Sequence, residues 1–139
     1  MAVNVSLPFD FKRKDIVFKR DPDGQTHFNI AQQWVSHSPD GFEWGYVGSG
    51  PADFALNILR VFDLDFKLAF LLHHHLEREF LVRFPKEGGA IFGGVINAWI
   101  GEECATPDIV RWLVSRSFAC SNFEEWRELL SEHHPEVTP

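Results

Sequence analysis

The sequence predicts an α+β domain in which a small antiparallel sheet or hairpin from the first third packs against four to five helices. Three observations carry this. Up to about residue 47 the apolar positions lean toward alternation, the period of a strand. From Pro51 onward they recur every three to four positions, the period of a helix. Pro, Gly, Asn and Asp punctuate the chain at the junctions, where their backbone preferences suit turns and caps. Fourteen Phe and five Trp, in a 139-residue chain that is 45% hydrophobic and 24% charged, supply a core and aromatic surface to spare. No repeat or low-complexity linker divides the chain. We therefore expect one domain over 1–139, β-leaning over 10–47 and helical over 50–134.

Asp15-Ile16-Val17-Phe18-Lys19-Arg20 reads as a strand, Asp21-Pro22-Asp23-Gly24 as a turn, and Thr26-His27-Phe28-Asn29-Ile30 as the returning strand of a hairpin. Gln32 to Ser38 stays open between a further strand and a loop. Ser38-Pro39-Asp40-Gly41 is a second turn. Phe42 to Tyr46 is a strand end or a structured loop. A helix begins at Pro51, capped by Ser49 or Gly50, with Phe54, Ala55, Ile58, Val61 and Phe62 on one side. Asp63 or Asp65 opens a second helix with the stripe Ala69, Leu72, Leu76 and Phe80, ending near Pro85 and Gly88-Gly89. For Ala90 to Ile100 a helix is preferred, with a buried strand as the alternative. Thr106-Pro107-Asp108 starts another helix, and Ser121 with Glu124 makes the capping box of the last one, which stops at His133-His134-Pro135.

Several classes are disfavoured. Thirteen Lys and Arg against twenty Asp and Glu give a net charge of −7, the wrong sign for a general nucleic-acid binder. The first residues lack a basic stretch leading into an apolar one, and no run approaches the length of a membrane helix, so a cytoplasmic protein is expected. Cys104 and Cys120 are too few for a disulfide scaffold and match no zinc-ribbon spacing.

The stretch from Ser38 to Leu56 is the most unusual. Four glycines within ten residues interleave with Phe42, Trp44 and Tyr46 and run into a helix start. Backbone N–H groups over Gly48-Ser49-Gly50 would suit a phosphate or carboxylate, with Glu43, Trp44, Tyr46 and Asp53 around it. The motif lacks the Gly-Lys-Ser/Thr ending of a P-loop and the full dinucleotide fingerprint. Glu43 and Asp53 would oppose an anion unless Arg60, Arg13 or Lys67 folded over it. The plain alternative is a rigid connection in which Asp53 caps and the aromatics pack on the first helix.

At these residues the chain resembles an uncharacterised group of small proteins of bacteria, archaea and their viruses or plasmids, with a signature close to SPxGFEWGYGGSGPAxLALxIL. Ser38-Pro39-Asp40-Gly41-Phe42-Glu43-Trp44-Gly45-Tyr46, Gly48-Ser49-Gly50-Pro51-Ala52, Ala55-Leu56, Ile58 and Leu59 match it. Val47 departs, standing where the pattern has a further Gly. The stretch from His73 to Cys104 is longer than that pattern leads one to expect. The resemblance implies a phage-like or mobile-element accessory protein and no catalytic activity.

His73-His74-His75 with Glu77 and Glu79 offers two i,i+4 pairs, His73/Glu77 and His75/Glu79, each suited to a metal. The pairs diverge around the axis, with His73 and His75 flanking the apolar stripe and His74 outside it. His133, His134 or Asp108 would have to complete a site, so boundary histidines bonded to acids are expected instead. No Ser or Cys has a persuasive base beside it. We expect no cofactor and a non-enzymatic counter-defence protein that occupies a host protein, one that normally handles nucleic acid, through acidic and aromatic surface including Glu124, Glu125 and Glu128. The alternatives are a nucleotide- or anion-binding module built on the 42–53 loop and a metal-dependent hydrolase on the His73–Glu79 helix. The aromatic excess also makes a homodimer plausible.

Overall fold

Asp21-Pro22-Asp23-Gly24 reverses the chain as its composition predicts. The Asp21 N–H donates to Gln25 O and the Gly24 N–H to Asp21 O, both at 2.8 Å, with Gly24 at φ +92°. The flanking residues form strands β1 (Ile16–Arg20) and β2 (Thr26–Phe28), paired antiparallel with Phe18 opposite Phe28. A computed structural model describes residues 5–7 and 13–104 of the chain. The helices expected after Thr106 and Ser121 lie outside those residues, as do Asp108, Glu124, Glu125, Glu128, His133 and His134.

The sheet has a third strand, β3 (Gly88–Ile91), antiparallel to the other side of β1 with Ile16 opposite Ile91, so the order is β2-β1-β3. Ala90 to Ile100 therefore splits. Its first two residues finish the strand and Gly93–Cys104 forms helix α3. Both readings of that segment hold over part of it. β1 is apolar on both faces because both are covered. Ile16 and Phe18 enter the main core, while Val17 packs against Leu7 and Ala90 on the reverse side.

Helix α1 (Ser49–Val61) crosses the core, and every residue from Gly50 to Leu59 is buried. Helix α2 (Phe66–Glu79) follows, its N-cap Asp65 accepting the Leu68 N–H. It stops at Glu79, earlier than Pro85, and a 3-10 turn (Leu81–Arg83) leads to β3. Five of the fourteen Phe join one aromatic cluster with Trp44. Phe18 meets Trp44, Phe54 and Phe84 at centroid distances of 4.9, 5.3 and 5.0 Å, and Phe28 meets Phe42, Trp44 and Phe54 at 5.3, 5.7 and 5.1 Å. Most are edge-to-face, the arrangement favoured by the ring quadrupole.

Gln32 to Ser38 is not a strand. Its backbone groups are claimed by two polar side chains one turn apart on α1. Asn57 accepts the N–H groups of Gln33 and Trp34 and donates to Trp34 O. Asp53 accepts those of Ser36, His37 and Ser38. With donors and acceptors satisfied there, no partner strand is needed.

Asp15 does similar work at α3. Its buried carboxylate accepts the Gly93 N–H at 2.7 Å and pairs with Arg13 at 2.9 Å. Gly93 is pressed so close to the Arg13 carbonyl that a Cβ would collide with it, whereas a Cβ on Gly94 would meet nothing. Gly93→Ala is therefore expected to cost about 2 kcal/mol or more through overpacking. Gly94→Ala should hold or raise stability by up to about 1 kcal/mol. Chemical denaturation of the two variants checks this contrast.

Candidate functional site

The glycine-rich connection is built as structure. Trp44 lies in the core with its indole N–H donating to Pro85 O at 2.7 Å. Glu43 takes both terminal nitrogens of Arg20, whose guanidinium lies 4.6 Å from the Trp44 ring centre. A Cβ on Gly50 would come within 2.9 Å of Glu43 Cβ, so that glycine makes room for the loop and Gly50→Val would not leave the fold intact. Ser49 is exposed, and no side chain caps α1 locally. Tyr46 is exposed as well. Arg60 and Arg13 do not fold over the loop. Arg60 donates to Leu64 O above Trp34, and Arg13 pairs with Asp15.

The expected anion donor at the head of α1 is already engaged. The Gly48 N–H donates to Glu77 Oε2 at 2.9 Å, and Glu77 is fully buried on α2. An internal carboxylate thus takes the first of the three amides, Gly48-Ser49-Gly50, over which a ligand anion was expected. Asp53, named as a ligand-lining or capping residue, points the other way and holds Ser36 to Ser38.

Those two carboxylates bring together a group that sequence spacing did not. Asp53 fixes the backbone at His37, and the imidazole of His37 lies against α2, where its Nε2 is 3.1 Å from Nε2 of His73. His74 joins them, and one nitrogen from each of the three rings lies within 4.8 Å of the others. His73 is on the buried face of α2, not on its flank, because the 35–48 loop covers that side. Its Nδ1 donates to Phe70 O. His74 Nδ1 is 3.2 Å from Glu77 Oε1. His75 and Glu79 are exposed and take no part in this cluster. The signal for His37 was present in the chain. Asp53 and Asn57 are polar at i,i+4 on an otherwise apolar helix, and such a pair must serve buried backbone nearby.

Burial is the chief reason that the His73 imidazole titrates below its ordinary value. The hydrogen bond to Phe70 opposes it, neighbouring His74 and His37 add to it, and Glu77 opposes it. A second chain of groups, Ser6 Oγ to His27 Nδ1 at 2.9 Å and His27 Nε2 to Asp21 Oδ2 at 2.7 Å, also escaped the sequence reading. The bond from His27 holds the Asp21 carboxyl below the usual carboxylate range. The Ser6 N–H, which an acyl-transfer serine would use as an oxyanion donor, is spent on Phe28 O. The arrangement fastens the 5–7 segment to the hairpin.

Two outcomes follow from this geometry. Asp53→Asn keeps one acceptor but turns an NH₂ group toward backbone donors. It should cost about 2 kcal/mol or more, with hydrogen exchange at Ser36 to Ser38 accelerating. Because the folded chain holds His73 neutral, its stability is full above the ordinary pKa of 6.5 and falls as pH drops below it, where the unfolded chain takes up the proton more readily. With chelator present, lowering pH from about 7.5 to 5.5 should therefore destabilise the wild type more than His73→Leu, as read by denaturant midpoints.

No helix among the described residues is long and apolar enough to cross a membrane. Neither a curated protein nor a solved structure matches the chain. A family profile matches residues 12–102, a span that contains the Ser38–Leu59 motif, the whole sheet and the histidine cluster. Because that span is well over half of the sequence, the chain belongs to DUF6166, a family of unknown function.

Proposed function

We propose that the protein is a non-enzymatic accessory protein of a phage or other mobile element, acting in the cytoplasm by occupying the surface of a host protein. The observation that supports this is a set of large apolar side chains left open to solvent on the loop and on α2. Among the described residues, Val35, Tyr46 and Val47 on the loop and Phe66, Phe70 and Leu71 on α2 are large apolar side chains left 42–65% exposed. The loop lies along α2 at both ends. His37 stacks with Phe70 at 6.4 Å, and Gly48 bonds to Glu77. Large apolar side chains left exposed on neighbouring elements suit an interaction surface. The net charge of −7 favours a basic partner, such as a protein whose groove normally holds nucleic acid. The nucleotide- or anion-binding alternative loses support, since Glu77 already takes the Gly48 N–H.

The test is the double variant Phe66→Asp, Leu71→Asp. Both sites are exposed, and the carboxylate introduced at position 66 would stand in the first turn of α2, so stability should change by no more than about 0.5 kcal/mol per site. Host proteins retained by the immobilised wild type should be lost with the variant, while a Lys67→Ala control keeps them. Unchanged retention overturns the choice of face. A wild-type dimer that becomes a monomer in the variant, by sedimentation, would assign the face to self-association instead.

A further inference from the structure

We propose that His37, His73 and His74 form a three-imidazole site for a divalent transition-metal ion of the zinc class, with the Phe70 carbonyl behind His73 and the Glu77 carboxylate behind His74. This goes beyond the partner-binding reading and does not depend on it.

The argument rests on which nitrogen of each ring is free. A carbonyl oxygen can only accept, so the bond to Phe70 O puts the proton of neutral His73 on Nδ1 and leaves a lone pair on Nε2. That lone pair faces Nε2 of His37 at 3.1 Å. Two nitrogens bound at 2.0–2.1 Å to one tetrahedral zinc lie about 3.3 Å apart. The observed separation is thus nearly that of two ligands on one ion. The Glu77 carboxylate likewise accepts from Nδ1 of His74 and leaves its Nε2 as the donor. Rings whose outer nitrogen is bonded to a carboxylate or a backbone carbonyl are the ordinary form of metal-ligating histidine, because the second bond sets tautomer and orientation. Here both forms occur side by side. Glu77 is itself fixed by the Gly48 N–H, so the support extends to the head of α1.

The surroundings suit a cation. Among the described residues, the nearest charged group bonded to the cluster is the buried Glu77, and its charge favours a positive ion. His73 is buried while His74 is half-exposed, so one side stays open for entry and for a fourth ligand such as water. Three imidazoles without thiolate suit zinc, copper or nickel better than calcium or magnesium. The same rings are joined by a His37–His73 hydrogen bond, which the ion would replace.

The test uses the full chain, stripped with chelator and titrated with Zn²⁺ by calorimetry and native mass spectrometry, and with Co²⁺ by visible spectroscopy. We expect one ion per chain, tetrahedral cobalt bands and no thiolate-to-cobalt charge transfer. His37→Ala and His74→Ala, neither of them in the core, should each abolish specific binding. Glu77→Gln keeps an acceptor for Gly48 and should weaken binding by about 10-fold or more. His75→Ala and Glu79→Gln should bind as the wild type does. No zinc bound, binding indifferent to His37 and His74, or a thiolate band implicating Cys104 or Cys120 would each overturn the site. Because the Phe66/Leu71 variant leaves all three imidazoles in place, loss of partner with zinc retained, or the reverse, separates the two proposals.

Discussion

The carboxylate of Asp53 is the constraint on which the arrangement of this protein turns. It sits in the middle of a fully buried helix, where an unpaired charge would be prohibitively costly. Three consecutive backbone N–H groups, from Ser36, His37 and Ser38, offset that cost. The dependence is mutual, since those amides have no strand to pair with. Once the segment is clamped to α1, Phe42 and Trp44 are brought over the sheet and His37 is delivered to α2. The loop's share of the core and the histidine cluster both depend on this contact, together with the Asn57 bonds to Gln33 and Trp34.

The same device recurs at two helix ends. Gly48 is the N-cap of α1, with no side-chain cap of its own, and Gly93 is the first residue of α3. Glu77 serves the Gly48 N–H and Asp15 the Gly93 N–H, each from a distant part of the chain. Anionic groups at helix starts are favoured by the unpaired amides and the axial dipole. Here they also act as tertiary ties, joining α2 to α1 and the foot of β1 to α3. A local Ser or Asp cap would have satisfied the amides without linking the elements.

Much of the fold was legible because it follows from local chemistry. The Asp21–Gly24 turn, the hairpin around it, the Asp65 cap and the periodicity of α1 and α2 are all written in adjacent residues. β3 was harder to see, since Gly88-Gly89-Ala90-Ile91 has little of the usual strand composition and is defined by its place beside β1. Gln32 to Ser38 leans toward a strand in sequence because its hydrogen-bond partners are side chains of another element. The glycine-rich loop drew attention as an anion site for sound reasons, and its amide does hold an anion. That anion is Glu77, which in sequence looked like a helical metal ligand. His37 could not be tied to His73 by spacing, since only the Asp53 clamp brings the two together.

The way β3 completes the sheet has a consequence for synthesis of the chain. Ile16 pairs with Ile91, so both helices between them are synthesised before the central strand can gain its second neighbour. A nascent chain emerging from the ribosome has its hairpin early, yet one edge of β1 stays open until residue 91 clears the exit tunnel. During that interval Ile16 and Phe18 present backbone donors and apolar side chains to any passing strand. Long-range closure of this kind slows folding and exposes intermediates to aggregation. Docking of α1, held by the Asp53 and Asn57 bonds to residues 33–38, needs no residue beyond Asn57 on its own helix and covers the aromatic face while the chain waits for its last strand.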